Sequence, residues 1–338
     1  MKKAVILGER RAGLVDVPDP QPKEDWALVK VHAAPMCAEY KGFVAGRAND
    51  YLGHEAAGEV VAVAQPGRVK VGDRVVVMPQ YPCGKCDYCL AGDYIYCEHS
   101  YNFAAFTGSR EGSATYAQYL LKPGWLLLPI PDGVSYERGS LACCALGPSF
   151  GAFQGAGLNA FDTVLITGLG PVGLGAIVNA RFLGARVIAV ESVPYRVDLA
   201  RQMGVAAVLD PRDESTAGKI KELTAGRGVD CALDCAGNVQ AERLCMDGTR
   251  RRGRVAFIGE CGSDLALRVS PDLIRKGLTV AGSWHYGLGA FSLIMRIIQQ
   301  SPLIDLLISH VLPMSKIQEA FELSASHQTA KVILKPWE

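Results

Sequence analysis

Four cysteines fall within fifteen positions, Cys83-x2-Cys86-x2-Cys89-x7-Cys97. Four thiolates at that spacing suit a tetrahedral, closed zinc site with no open coordination position. The ferredoxin runs have other spacings, so zinc is expected over an iron–sulfur cluster. A loop this rich in Gly, Asp, Lys and Tyr is a poor place for four unbound buried thiols. A second set of metal-binding residue types is more dispersed. Gly53-His54-Glu55-Ala56-Ala57-Gly58 sets a His and a carboxylate side by side before a strand, and Cys37 lies seventeen residues upstream of His54 at the end of another strand. Either feature alone is more often structural.

A third chemical signal is Gly168-Leu169-Gly170-Pro171-Val172-Gly173, a G-x-G-x-x-G motif that directly follows an apolar strand and opens a helix. In that context the glycines allow a tight turn, close approach to a pyrophosphate and close helix packing. Pro171 suits the first helical turn, where a missing N–H costs no hydrogen bond, and the free N–H groups of that turn favour a phosphate. Glu191 ends the next strand, twenty-three residues after Gly168, where a carboxylate accepts hydrogen bonds from ribose hydroxyls. This favours NAD, because the 2′-phosphate of NADP would meet a like charge. Arg196 is the nearby feature that favours NADP, and Ser192 completes the cofactor-binding segment.

These groups must be positioned by a chain of 338 residues, longer than one core usually supports, so two domains are expected. Residues 1 to about 150 read as short strands between Gly and Pro, at 26–33, 58–64, 74–78 and 116–121, the pattern of a β-barrel or sandwich. Beyond Gly147-Pro148 buried strands alternate with helices, at 163–167, 186–191, 207–210, 231–235, 254–259 and 278–284. That alternation predicts an α/β doubly wound parallel sheet. Helices are expected at 291–300 and 316–324. A terminal strand at 331–335 needs a partner, best found in the first domain.

Composition narrows the function classes. Lys and Arg number 35 against 34 Asp and Glu, a net charge of +1, which argues against a nucleic-acid or membrane-surface partner. The dense basic run at 250–254 reads as a solvated helix end before a buried strand. Eleven cysteines, an odd number in a large chain, do not suit a secreted disulfide framework. No export signal is legible at the N-terminus, so a cytoplasmic protein is expected. The uncharged stretch 164–180 is too short and too interrupted by Pro171 and glycines to span a membrane.

Taken together, Cys37, the G-H-E-x-x-G segment, the four-cysteine lobe, the glycine motif with its Pro and Glu191 occur in the order of the zinc-containing medium-chain dehydrogenases, which the chain resembles over essentially its whole length. The resemblance implies a GroES-like catalytic domain at 1–149 with a zinc lobe at 80–100, a Rossmann domain at 150–284, and a return to the catalytic domain at 285–338. A cleft between the domains would hold zinc and nicotinamide. Cys37 and His54 would ligate a catalytic zinc, with Cys144 as third ligand, Cys143 as its competitor, and Glu55 as ligand in alternative coordination states. Two zinc ions per chain follow, one catalytic and one structural. Cys235, Ala236, Ile258 and Gly259, at the carboxyl ends of two central strands, would line the nicotinamide pocket. A zinc with three protein ligands keeps a position open for an alcohol and lowers the pKa of its hydroxyl, so that hydride can pass to the cofactor.

The pattern also departs from the family. Ser or Thr two residues after the first cysteine ligand and His five after it commonly form a proton relay, and here those positions are Glu39 and Gly42. Glu39 is the expected replacement as general base. The segment between Cys37 and His54 is shorter than in typical relatives, which suggests a more open substrate mouth. Gly282-Ser283-Trp284-His285-Tyr286 is similar to the Gly-Ser-aromatic-Arg-Tyr segment of sorbitol-type enzymes, with His285 in place of the arginine. Trp284, His285 and Tyr286 would contact substrate hydroxyls, which points to a polyol, sugar or cyclitol. The alternatives are a threonine-type amino-alcohol dehydrogenase and an NAD(H) sensor without turnover. Strand 278–284, at the sheet edge, predicts a homodimer or homotetramer.

Overall fold

The computed structural model describes residues 1–338. Its fifteen strands run as β1 (Lys2–Gly8), β2 (Arg11–Asp16), β3 (Trp26–Pro35), β4 (Ala56–Val63), β5 (Arg74–Val77), β6 (Tyr119–Pro123), β7 (Leu127–Pro129), β8 (Thr163–Thr167), β9 (Arg186–Val190), β10 (Ala207–Leu209), β11 (Val229–Asp234), β12 (Thr249–Phe257), β13 (Thr279–Gly282), β14 (Ile308–Pro313) and β15 (Lys331–Lys335). The chain divides into two compact units. One is Met1–Cys144 with Gly287–Gln300 and Ile308–Glu338, and the other is Ala145–Tyr286 with Ser301–Leu307. Residues 301–307 therefore leave the C-terminal return segment in which the sequence pattern places them.

In the first unit a seven-stranded sheet has the order β14-β15-β3-β4-β5-β7, with β6 also paired to β3. The period-two pattern of β3 turns Ala27, Val29 and Val31 inward, and Val60, Val75, Val77, Leu120 and Leu334 complete the core with them. β15 runs antiparallel to β3 (Ile333↔Pro35, Leu334↔Ala34) and parallel to β14, so both ends of the sequence build one sheet. β14 escapes the sequence pattern because none of its residues is fully buried and no clean alternation survives. The strand expected from Tyr116 begins instead at Tyr119, since Tyr116 and Ala117 pair with β1.

The second unit is a parallel six-stranded sheet of order β10-β9-β8-β11-β12-β13. β8 and β11 are sheet neighbours although two strands intervene in sequence, so the strand order reverses between them. Ligands of such sheets bind outside the carboxyl ends of the strands at that reversal. Val164, Leu165 and Ile166 of β8 and Ala232 and Leu233 of β11 have no exposed surface, as central parallel strands covered on both faces require. The basic run is not a helix end. The helix Val239–Gly248 stops before it, and the arginines belong to β12, with Arg250 2.6 Å from Asp230 and Arg254 2.8 Å from Asp162. Acidic partners on neighbouring strand ends allow the charges to sit within a strand. No helix is long and apolar enough to cross a membrane.

Candidate metal and dinucleotide sites

The ligand atoms of Cys83, Cys86, Cys89 and Cys97 lie within 4.8 Å of one another, with Cys86 Sγ 3.5 Å from Cys89 Sγ and 3.8 Å from Cys97 Sγ. The loop folds back through two short helical turns, Asp87–Leu90 and Tyr94–Tyr96. Its own backbone supports the sulfurs. The N–H groups of Cys83 and His99 donate to Cys97 Sγ at 3.2 and 3.4 Å, and that of Cys86 to Cys83 Sγ at 3.4 Å. At Cys83, burial works upward, but N–H donors outweigh it and bring the thiol down to about 7, whereas burial pushes Cys89 up to about 12. Four sulfurs in this arrangement suit one zinc, whose charge would deprotonate them all.

The second cluster is assembled from remote segments. Antiparallel pairing of β3 with β4 (Ala33↔Ala57) sets Cys37, just past the end of β3, beside His54 and Glu55, just before β4. Cys144 approaches from the turn preceding the helix Gly147–Ala156, with its Sγ 3.2 Å from His54 Nε2. The ligand atoms of Cys37, His54, Glu55 and Cys144 lie within 4.8 Å of one another. Cys37, His54 and Cys144 are partly exposed and Glu55 is buried beneath them. That is the donor set and the openness of a zinc site with a free position. Cys143 faces away, buried with its thiol directed at the Val77 carbonyl, 3.4 Å off.

Glu55 is held from the C-terminal strand. The Lys331 ammonium, without exposed surface, donates to Glu55 Oε1 at 2.5 Å and to the Met36 carbonyl at 3.1 Å, while the Cys144 N–H donates to Glu55 Oε2 at 3.1 Å. Burial pushes Glu55 up to about 7, yet the same pairing raises Lys331 above its ordinary value. With an ammonium and an N–H in contact, the ionised pair is the consistent state. Sequence reasoning missed Lys331; its signal is a lysine leading directly into the apolar run Val332-Ile333-Leu334.

Glu39, expected as a general base, has both carboxylate oxygens engaged. Its Oε1 accepts a hydrogen bond from His54 Nδ1 at 2.9 Å, and its Oε2 accepts from the Cys37 N–H at 3.0 Å and the Tyr116 hydroxyl at 2.9 Å. Burial would raise this carboxyl, but the hydrogen bond and charge of His54, its backbone bond and the Tyr116 hydroxyl outweigh that and lower it to about 2. The arrangement is a carboxylate–histidine pair that fixes the imidazole tautomer and frees Nε2 for metal. Tyr116, also missed, reaches this position because Gly53 has no side chain. A Cβ there would lie 2.3 Å from the Tyr116 ring, and Gly53 adopts φ +83.

In the second unit Gly170 caps the helix Pro171–Phe182, with Pro171 at its first turn and Val172 following. A Cβ on Gly173 would fall 2.0 Å from the Gly168 carbonyl, whereas one on Gly170 would meet nothing within 4 Å, the open space a phosphate needs beside a helix N-terminus. A cavity of about 360 Å³ opens here, walled among others by Gly168, Glu191, Asp213, Glu214 and Ala236. Glu191 Oε2 accepts from the Leu169 N–H at 2.8 Å and Oε1 from the Ser192 and Val193 N–H groups at 2.7 and 2.9 Å, with Arg196 4.0 Å away. The carboxylate therefore also ties the glycine turn to β9. Cys235, Ile258 and Gly259 follow the ends of β11 and β12 without forming walls of this cavity. His285 and Tyr286, expected at the substrate, are both buried, stacked on each other at 4.7 Å, and set against Gly147 and Gly151 of the helix Gly147–Ala156. Trp284 is 49% exposed.

Comparison with known proteins agrees with this geometry. Residues 23–132 match the alcohol dehydrogenase GroES-like domain and residues 171–300 the zinc-binding dehydrogenase domain. The chain is 34% identical to a sorbitol dehydrogenase of Bacillus subtilis (strain 168), over 85% of this chain and 82% of that protein. It is 30% identical to an L-threonine 3-dehydrogenase of Symbiobacterium thermophilum, over 96% and 94%. The solved alcohol dehydrogenase from Thermus sp. ATN1 superposes with a TM-score of 0.89 at 26% identity, covering 99% of each chain.

Proposed function

From a chain that belongs to the zinc-type medium-chain dehydrogenase/reductase family, we propose an NAD-linked oxidation of a secondary alcohol of the polyol, sugar or cyclitol kind to its ketone. The observation that carries the reading is the meeting of Cys37, His54, Glu55 and Cys144 within 4.8 Å, three of them accessible. Bound zinc supplies a Lewis acid for the alcohol oxygen, and nicotinamide accepts the hydride. The residues of the chain do the rest. The sulfurs of Cys37 and Cys144 and Nε2 of His54 would hold the metal, Glu39 would keep a proton on His54 Nδ1, and Lys331 anchors Glu55 on the inner side. The carbinol hydrogen leaves with its electron pair for NAD and the hydroxyl proton goes to water, so alcohol and NAD⁺ yield ketone, NADH and H⁺.

NAD is favoured over NADP because Glu191, Asp213 and Glu214 line the cavity and Arg196 lies 4.0 Å from Glu191. A polyol is favoured by the sorbitol dehydrogenase relative and by exposed Trp284. The threonine dehydrogenase relative supports an amino alcohol as second reading. The exposed edge strand β13, with exposed Leu267, Val269 and Ile274 in the same unit, supports a homodimer or homotetramer, which light scattering tests. The deciding experiment is NAD reduction by a panel of polyols, cyclitols and amino alcohols alongside metal analysis. Two zinc per chain and turnover abolished by chelation are expected. NADH binding without turnover on any alcohol would favour the sensor.

A further inference from the structure

Asp234, the last residue of β11, is fully buried, and its carboxylate pairs with no lysine or arginine. An isolated buried carboxylate is costly unless hydrogen bonds satisfy it. Here Oδ1 accepts from the Thr167 hydroxyl at 2.8 Å and the Ala236 N–H at 3.1 Å, and Oδ2 from the Gly237 N–H at 3.0 Å. The Asp234 carbonyl accepts from the N–H groups of Ile258 and Gly259 at 3.1 and 3.0 Å, and the Cys235 N–H returns to the Thr167 carbonyl at 2.9 Å. One residue thus ties together the carboxyl ends of β8, β11 and β12 where the strand order reverses.

The loops it joins are in backbone contact. A Cβ on Gly168 would lie 2.7 Å from Ala236 Cα, and one on Gly259 would lie 2.7 Å from Asp234 Oδ2. Thr167, Gly168 and Ala236 form part of the cavity wall, with Asp234 behind them. We propose that Asp234 is a positioning residue of the dinucleotide site, fixing through Thr167, Ala236 and Gly237 the backbone against which the cofactor lies. The inference rests on reading this crevice as the NAD site. Asparagine at this position keeps the shape but turns one acceptor oxygen into a donor, leaving a buried N–H without its partner.

The test compares Asp234→Asn, Thr167→Val and Thr167→Ser with the parent by NADH fluorescence titration, with KM and kcat, zinc content and Tm recorded for each. Asp234→Asn is expected to weaken NADH binding about tenfold to a hundredfold, raising KM for NAD much more than it lowers kcat, with zinc content unchanged. Thr167→Val should shift binding in the same direction by less, and Thr167→Ser, which keeps the hydroxyl donated to Asp234, should lose less affinity than Thr167→Val. If Asp234→Asn does not fold, the valine and serine pair decides. NADH affinity within twofold of the parent in Asp234→Asn, or in Thr167→Val if that pair decides, overturns the proposal even if Tm falls. A parent that binds no NADH overturns the dehydrogenase reading and this inference with it, whereas parent binding with unchanged variants overturns this inference alone.

Discussion

The two metal clusters have the same number of donors but opposite construction. Cys83, Cys86, Cys89 and Cys97 close a short loop and are supported by N–H groups of that loop. Cys37, His54, Glu55 and Cys144 come from separated segments, with Tyr116 and Lys331 added from two more. Short loops lose little entropy on closing, so the first cluster can be nearly self-sufficient. A metal that must keep a position free for substrate cannot be wrapped by its own loop. Its ligands are held from outside, by Glu39 on His54 and by Lys331 on Glu55. The partly exposed cluster thus relies on residues outside its own donor set.

The largest effect expected of that contrast is at a ligand. His54→Ala should lower NAD-linked turnover by about a thousandfold or more and reduce zinc from two to one per chain, leaving the four-cysteine site loaded. Retention of both zinc ions would break the distinction between the clusters. Next is Lys331→Met, which leaves the Glu55 carboxylate buried without its cation and should cost about 3–5 kcal/mol in chemical denaturation. Adding Glu55→Gln should recover part of that loss, and a loss under about 1 kcal/mol would mean the remote support is not needed.

A smaller effect is expected at Glu39. Glu39→Gln should weaken zinc binding at the open site about ten- to a hundredfold while the pH profile of turnover keeps its position. A displaced profile with unchanged zinc affinity would restore Glu39 as a base. The smallest effect is at Asp230, far in sequence from both clusters. Burial would raise its carboxyl, but the Thr163 N–H and the Arg250 guanidinium outweigh this and hold it below the ordinary value. A depressed folded pKa gives stability that is present above the unfolded pKa and is lost as pH falls through the folded one. Asp230→Asn should therefore cost about 1 kcal/mol or less at neutral pH, and the difference from the parent should vanish in acid. A gap that persists there would mean packing, not charge, is lost.

Legibility in the sequence followed the same contrast. The four-cysteine lobe and the glycine turn are short contiguous patterns whose chemistry depends on spacing, and both could be read directly. The parallel sheet was legible because β8 and β11 are apolar runs covered on both faces. Less was visible where pairing decides the outcome. β14 lacks alternation, and the arginines of β12 imitate a solvated helix end until Asp162 and Asp230 are brought beside them. Glu39 reads as a base because a carboxylate near a metal ligand can be one; that it also accepts from three donors shows only in the folded chain.

The sequence by itself determined the donor types, the local closure of the cysteine lobe, the phosphate-binding turn and the succession of strands and helices, because each is set by contacts between near neighbours. Tertiary structure alone decided that Cys144 rather than Cys143 joins Cys37, His54 and Glu55, that Lys331 neutralises Glu55, and that Asp234 ties three strand ends. Those outcomes depend on strand register and on which buried charge finds a partner, and a pairing such as Lys331 with Glu55 is settled only when the end of the chain lies down beside β3.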